Sequence, residues 1–115
     1  MDKLTHYRQA VREILQEHHH PHLDKKHPDV EWLMLIDAER DHYQLLTVGW
    51  EGESRSYSCS LHLAIKDGKI WIHRDYIDTD DGIAGELIER GVSKEDIVLA
   101  FHAPYKRPYT EFAVA

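Results

Sequence analysis

Thiol chemistry is almost absent from this 115-residue chain, which carries one cysteine, Cys59. A lone thiol forms no internal disulfide, so the small disulfide-stapled scaffolds are excluded and a reducing cytoplasm is the expected location. Long apolar runs are missing as well. The best, Trp32 to Ile36, is five residues long, against the ~18 that a membrane helix needs. No membrane association is expected. The opening Met1-Asp2-Lys3-Leu4 has neither the basic start nor the apolar stretch of a signal peptide. Positive charge is in deficit, with 14 Lys and Arg against 21 Asp and Glu, a net charge of −7. That balance argues against a stand-alone nucleic-acid binder, whose non-specific affinity comes from neutralising phosphates. Neither a Gly-rich phosphate loop nor a nucleophile elbow occurs. There is no internal repeat and no linker, and the length suits a single domain over residues 1–115 with one self-supporting core.

The patterning that is present describes an α+β domain. Leu4, Tyr7, Val11, Ile14 and Leu15 recur at spacings of three and four, which predicts an amphipathic helix over 2–18. Asp2 can cap its start, and Pro21 stops it by disfavouring helical geometry at His20. From Val30 the period becomes two. Val30, Trp32, Met34 and Ile36 alternate with a second rather apolar set, so 30–37 reads as a central strand covered on both faces. After a polar turn at 39–42, residues 43–50 form the next strand. In 56–65, Tyr57, Cys59, Leu61, Leu63 and Ile65 face the core. Asp67-Gly68 is a two-residue hairpin signal, since a type I′ turn needs positive φ at both central residues. Its register places Lys66 against Lys69, Ile65 against Ile70, Ala64 against Trp71, Leu63 against Ile72 and His62 against His73. A second helix fits 80–90, capped by Thr79 or Asp80, burying Ile83, Leu87 and Ile88 and ending at Gly91. Ser93 to Asp96 resembles a capping turn. Residues 97–101 form a short strand, 103–108 a proline-punctuated loop, and 109–114 a final edge strand. The expected fold is therefore a mainly antiparallel sheet of five to six strands packed against an N-terminal helix and the helix near 80–90.

Histidine is the conspicuous residue, with ten in the chain. His18, His19, His20, His22 and His27 cluster near Asp24. Imidazole ligates zinc, copper and nickel, yet the spacing fits no structural zinc pattern, and a solvated helix end and loop accounts for the run better. His62 and His73 form a defined pair through the hairpin register. They are the weak metal candidates, lacking an identifiable third ligand, and no cofactor is expected. Asp37, Glu39 and Asp41 alternate along the chain as paired metal-binding or acid–base carboxylates do, but they occupy a turn beside Arg40 and His42, and no acidic–x–Lys element follows. Asp78, Asp80 and Asp81 miss the EF-hand spacing and suit a helix N-terminus instead. Tyr105-Lys106-Arg107-Pro108-Tyr109 interleaves rings with cations. Such a loop either stacks bases or docks a protein, and two cations are a small footprint for nucleic acid. Cys59, on the core face, reads as structural. Trp32, Trp50 and Trp71 are many for so small a core, so one of them marks an interface, self-association included.

Several blocks together resemble the XisI family, the fdxN-element excision controlling factor proteins found mainly in cyanobacteria. They are Met1-Asp2-Lys3-Leu4 with Tyr7-Arg8; Asp37 through Leu46, reading DAERDHYQLL; Val48-Gly49-Trp50; Lys66 through Ile72, reading KDGKIWI; Ile83-Ala84 with Glu86-Leu87; and Gly91 through Pro104, reading GVSKEDIVLAFHAP. Lys106-Arg107 and the aromatic tail also fit, and the histidine run at 18–20 lies outside the pattern. The resemblance implies an accessory role in excising a DNA element during heterocyst differentiation. A separate site-specific recombinase cuts the DNA, and a companion, XisH, resembles nuclease-fold proteins. It supplies no catalytic residues. The leading expectation is thus a non-enzymatic regulatory protein that binds an XisH-like partner and touches DNA only indirectly. The acidic surface suits a basic partner, and the loop residues Glu39, Arg40, Asp41, His42, His102, Tyr105, Lys106 and Arg107 are the expected docking elements. The alternatives are direct DNA binding through 105–109 and a metal-dependent hydrolase or nuclease using Asp37, Glu39 or the His62/His73 pair.

Overall fold

The chain is described by a computed structural model over residues 2–20, 28–76 and 82–115. Helix α1 spans Lys3–His18, and the Asp2 carboxylate accepts from the Thr5 amide at 2.7 Å, as the cap position requires. Tyr7, Ala10, Val11, Ile14 and Leu15 are buried, whereas Leu4, in the first turn, is exposed. Strands β1 (Val30–Asp37), β2 (His42–Glu51), β3 (Ser54–Lys66), β4 (Lys69–Asp75) and β5 (Ile97–Leu99) form one sheet in the order β1-β2-β3-β4-β5. The first three pairings are antiparallel and β4–β5 is parallel. Helix α2 (Gly82–Glu89) is the crossover between β4 and β5, and such a connection is what a parallel pair needs. It ends in a Schellman motif. Gly91 adopts φ +87°, its amide donates to Ile88 O, and the Val92 amide donates to Leu87 O. Asp67 and Gly68 take φ +54° and +74°, the hairpin geometry expected of them.

Both helices cover one face of the sheet. Tyr43, Leu45, Leu61, Leu63, Ile65, Ile70 and Ile72 point toward them and are fully or nearly buried. Each large apolar side chain removed from water this way contributes about 1.5–3 kcal/mol. The helices are tied to the frame by polar contacts: Tyr7 Oη donates to Asp96 at 2.5 Å, His6 Nε2 meets Arg90 O at 2.7 Å, and Arg90 pairs with Glu17.

Several expectations are corrected. Strand β1 lies at an edge of the sheet rather than at its centre, with Leu35 exposed on the face away from the helices and Trp32 exposed on the helix-facing side. The core-facing alternation of β3 holds only from Leu61 onward. Leu45 pairs with Leu61 and Leu46 with Cys59, so Ser60 is an extra residue, and this bulge turns Cys59 and Tyr57 to the opposite face. A second bulge makes His73 the extra residue of β4, so His62 pairs with Arg74 rather than His73. The shift also turns Asp75 inward, where its buried carboxylate accepts from the Ile83 amide at 3.0 Å and caps α2. The proposed caps Thr79 and Asp80 lie outside the described residues. Ile88 is on the solvent side of α2. Ser93–Asp96 forms a single 3-10 turn, η1 (Lys94–Asp96), without a side-chain cap from Ser93. The 103–108 segment is a 3-10 helix, η2 (Pro104–Tyr109), and the expected edge strand at 109–114 reduces to one bridge between Ala113 and Val98. Among the described residues no helix is long and apolar enough to cross a membrane.

Candidate functional site

The face of the sheet opposite the helices carries the unusual chemistry. His42 starts β2, His62 lies in the middle of β3, and His73 is the bulged residue of β4. Their rings cluster. His42 Nδ1 and His62 Nε2 are 2.9 Å apart, so one of the two rings donates a proton to the other. The His62 and His73 ring centroids are 4.9 Å apart, and His42 stacks on His73 at 6.2 Å. The hairpin register thus predicted the proximity of His62 and His73 correctly, although through the wrong backbone pairing. The third imidazole was missed because His42 reads as part of a polar turn. Among the described residues no three His, Cys, Asp or Glu side chains are arranged to hold a metal ion.

The surroundings of His62 and His73 disfavour their charged forms. Burial, then the neighbouring His73 and His42 rings, push the His62 pKa down from 6.5 to about 4. His73 is lowered by packing against its neighbours and then by His42, Arg107 and Lys66. Between those His62 values the unfolded chain binds more protons than the folded one at this ring, so its contribution lowers stability as pH drops from 6.5 toward about 4 and is constant below. His62→Gln, which keeps a polar partner for His42, is expected to flatten this acid limb in urea denaturation over that range. Parallel limbs for the two proteins would assign the titration to other groups.

Beside the histidines lies a cavity of about 250 Å³ lined by Arg40, His42, Ala64, Ile65, Lys66, Trp71, His73, Ala100 and Arg107. Trp71 organises its cations. Lys66 Nζ stands 4.8 Å from the indole centroid and the Arg107 guanidinium 5.7 Å, while the Trp71 indole N–H donates to Lys66 O at 3.0 Å. Arg107 is oriented by its Nε donating to His102 O at 3.1 Å. The structure therefore brings Arg40 and His42 from the β1–β2 turn to the same hollow as Arg107 from η2.

The other expected docking residues lie apart from it. Asp41, at φ +55°, binds Arg8 through both carboxylate oxygens at 2.9 and 3.0 Å and accepts from Tyr43 Oη; the Arg8 contact, then the tyrosine, hold its carboxyl below the usual range. Asp37 accepts from the Glu39 and Arg40 amides and from Arg40 Nη1, each at 3.1 Å. Those two carboxylates are thus committed to the turn and to α1, and Glu39 is exposed. His102 and Lys106 border a second hollow of about 240 Å³ with Tyr109 and Thr110. Tyr105 and Tyr109 are 72% and 89% exposed, more than any other large apolar side chain described.

In the histidine run, His18 bonds Glu86 at 2.9 Å and His19 Nε2 meets Trp32 O at 2.8 Å, so these two rings fasten the helix end to the body rather than standing in solvent. His22, His27 and Asp24, like Asp78, Asp80 and Asp81, lie outside the described residues. Cys59 is half-buried on the outer face, with its thiol donating to Leu61 O at 3.3 Å.

Comparison with known proteins agrees with this architecture over its whole length. The XisI protein family model matches residues 1–114. A crystal structure of a XisI-like protein from Anabaena variabilis ATCC 29413 superposes with a TM-score of 0.87 at 42% identity, covering 99% of this chain and 100% of that one. A second, of the fdxN element excision controlling factor XisI from the same organism, gives a TM-score of 0.85 at 42% identity with the same coverage. No curated protein matches. A family match across nearly every residue, together with solved relatives that share the fold at this identity, establishes that the chain belongs to the XisI family.

Proposed function

We propose that this protein is a non-enzymatic accessory factor that controls excision of a DNA element by binding an XisH-like partner. Family membership carries the reading: the chain shares 42% identity over 99% of its length with a protein named fdxN element excision controlling factor XisI. The surface is compatible with it. The Asp37 and Asp41 carboxylates, which a hydrolase would need free, are engaged in structural contacts. The exposed Tyr105 and Tyr109 flank Lys106 and Arg107 on η2, and tyrosine and arginine are the residue types that anchor protein interfaces. The chain's net charge of −7 favours encounter with a basic partner.

The test is co-expression with the XisH-like protein of the same organism, followed by size-exclusion chromatography with light scattering. A defined complex is the expected result. Two well-folded proteins eluting separately, at concentrations far above micromolar, would remove the docking function. The rings and cations of η2 favour one second reading, direct DNA binding. It would then be recognised by an affinity for duplex that falls steeply with salt, as phosphate contacts require.

A further inference from the structure

We propose that the hollow between the β1–β2 turn, the β3–β4 hairpin and η2 is a binding site for a small phosphomonoester. The site concerns the isolated chain and does not rest on the partner reading. Its apolar surface comes from Ala64, Ile65, Ala100 and the Trp71 ring, and its polar groups are Arg40, Lys66, Arg107, His42 and His73. Among the described residues no carboxylate lines it. Arg40 already shares Asp37. Among the described residues neither Lys66 nor Arg107 has a carboxylate within ion-pair distance, yet Trp71 holds both against a single indole. Two like charges gathered this way repel each other, and the arrangement is the more pointed in a chain of net charge −7.

The ion that relieves the repulsion is a dianion. A phosphomonoester carries about −1.5 to −2 charges at neutral pH and three strong acceptor oxygens, whereas a carboxylate would leave one cation unmatched. The volume of about 250 Å³ suits a phosphoryl group on a short or single-ring body lying against the apolar surface. His73 adds one ring N–H as a donor, and His42 adds a second in the tautomer whose Nδ1 accepts from His62. Among the described residues the charged or titratable groups that face His73 are cationic or imidazole: Lys66 on β3, Arg107 on η2, Arg40 on the turn, and His42 and His62 on β2 and β3. A bound dianion reverses that field, so His73 must take up a proton more readily when the site is filled.

The test is an NMR titration of the whole chain with phenyl phosphate at about pH 7.5, where the ester is mostly dianionic, and with benzoate as the monoanion of like shape. Saturable shifts of the Trp71 indole N–H with a Kd below about 1 mM are expected, with benzoate at least about tenfold weaker. Lys66→Met and Arg107→Gln should each cost about tenfold or more. Arg55→Ala, whose cation lies over Trp50 and Tyr57 instead, should change nothing, and neither should Tyr105→Ala, which spares the site while removing a docking ring. The His73 ring C–H signals should titrate at higher pH in the saturated protein. A phosphoserine peptide in parallel identifies the source of the group: tighter binding than phenyl phosphate points to a modified polypeptide, weaker binding to a free ester. Binding of both phosphates weaker than that limit, equal affinity for benzoate, or an unchanged Kd in both cation variants would overturn the proposal.

Discussion

Replacing Tyr105 and Arg107 together by alanine is expected to weaken the complex with the XisH-like partner by roughly 100-fold or more. Truncating a tyrosine or arginine that serves as an interface hot spot costs about 2 kcal/mol or more, and each ~1.4 kcal/mol is tenfold in Kd. The two losses need not add, since both residues belong to one helical turn of η2. The free protein should stay folded. Tyr105 is 72% exposed and leaves no cavity behind, and Arg107 rests on the outer face of the sheet rather than among the core side chains. Arg107 also holds the His102 carbonyl and stacks on Trp71, so its loss alone can loosen η2. Tyr105→Ala has no such route, and a matching loss in that single variant identifies contact rather than loosening. Titration calorimetry on the co-purified pair, with a thermal melt of each variant, reads both quantities. Unchanged affinity in the double variant would remove η2 from the interface.

Gly49→Ala should be more damaging than the same change at Gly52, Gly68, Gly85 or Gly91, lowering stability by about 3 kcal/mol, the sum of backbone strain and forced repacking. Gly49 pairs with Val30 at the first residue of β1 and has φ +140°, a conformation that side chains rarely adopt. An added Cβ would stand 2.0 Å from Asp29 O and 2.8 Å from Val30 Cα. Both obstacles are backbone and cannot rotate away. The Asp29 carbonyl is further fixed by the Trp50 amide at 3.0 Å. Relief requires the start of the edge strand to separate, which exposes Val30. For a domain of this size the melting temperature should fall by about 10 °C. Gly52→Ala is the comparison: its φ of +62° is also left-handed, but nothing lies within 4 Å of the added atom, so about 1 kcal/mol is expected. Equal melting temperatures for the two variants would mean that the β1–β2 junction yields without cost.

The elements that local chemistry determines were legible in the sequence, and so was the family. The apolar spacing of α1, the Asp2 cap, the Asp67-Gly68 hairpin with its first four pairings, and the Gly91 terminus all follow from residues a few positions apart. Non-local pairing was not legible. Side chains alternate with period two along a strand, so one bulge moves every later residue to the other face. Nothing in the residues around Ser60 or His73 announces that their partners skip a position. Those two skips placed Cys59 on the outer face and Asp75 beneath α2, and they preserved the contact of His62 with His73. The same limit applies to β1, whose apolar second face looks central until its place at the sheet edge is known.

Residue identity by itself determined that this chain forms an α+β domain of the XisI family, with an acidic surface, a hairpin of known register and a loop of tyrosines and cations. The tertiary structure alone decided that His42 joins the other two histidines, and that Lys66 and Arg107 meet on Trp71 without a carboxylate between them. The physical reason is separation along the chain. Arg40, Lys66 and Arg107 belong to a turn, a strand end and a 3-10 helix, and only the assembled sheet with η2 folded over its outer face brings their charges to one hollow.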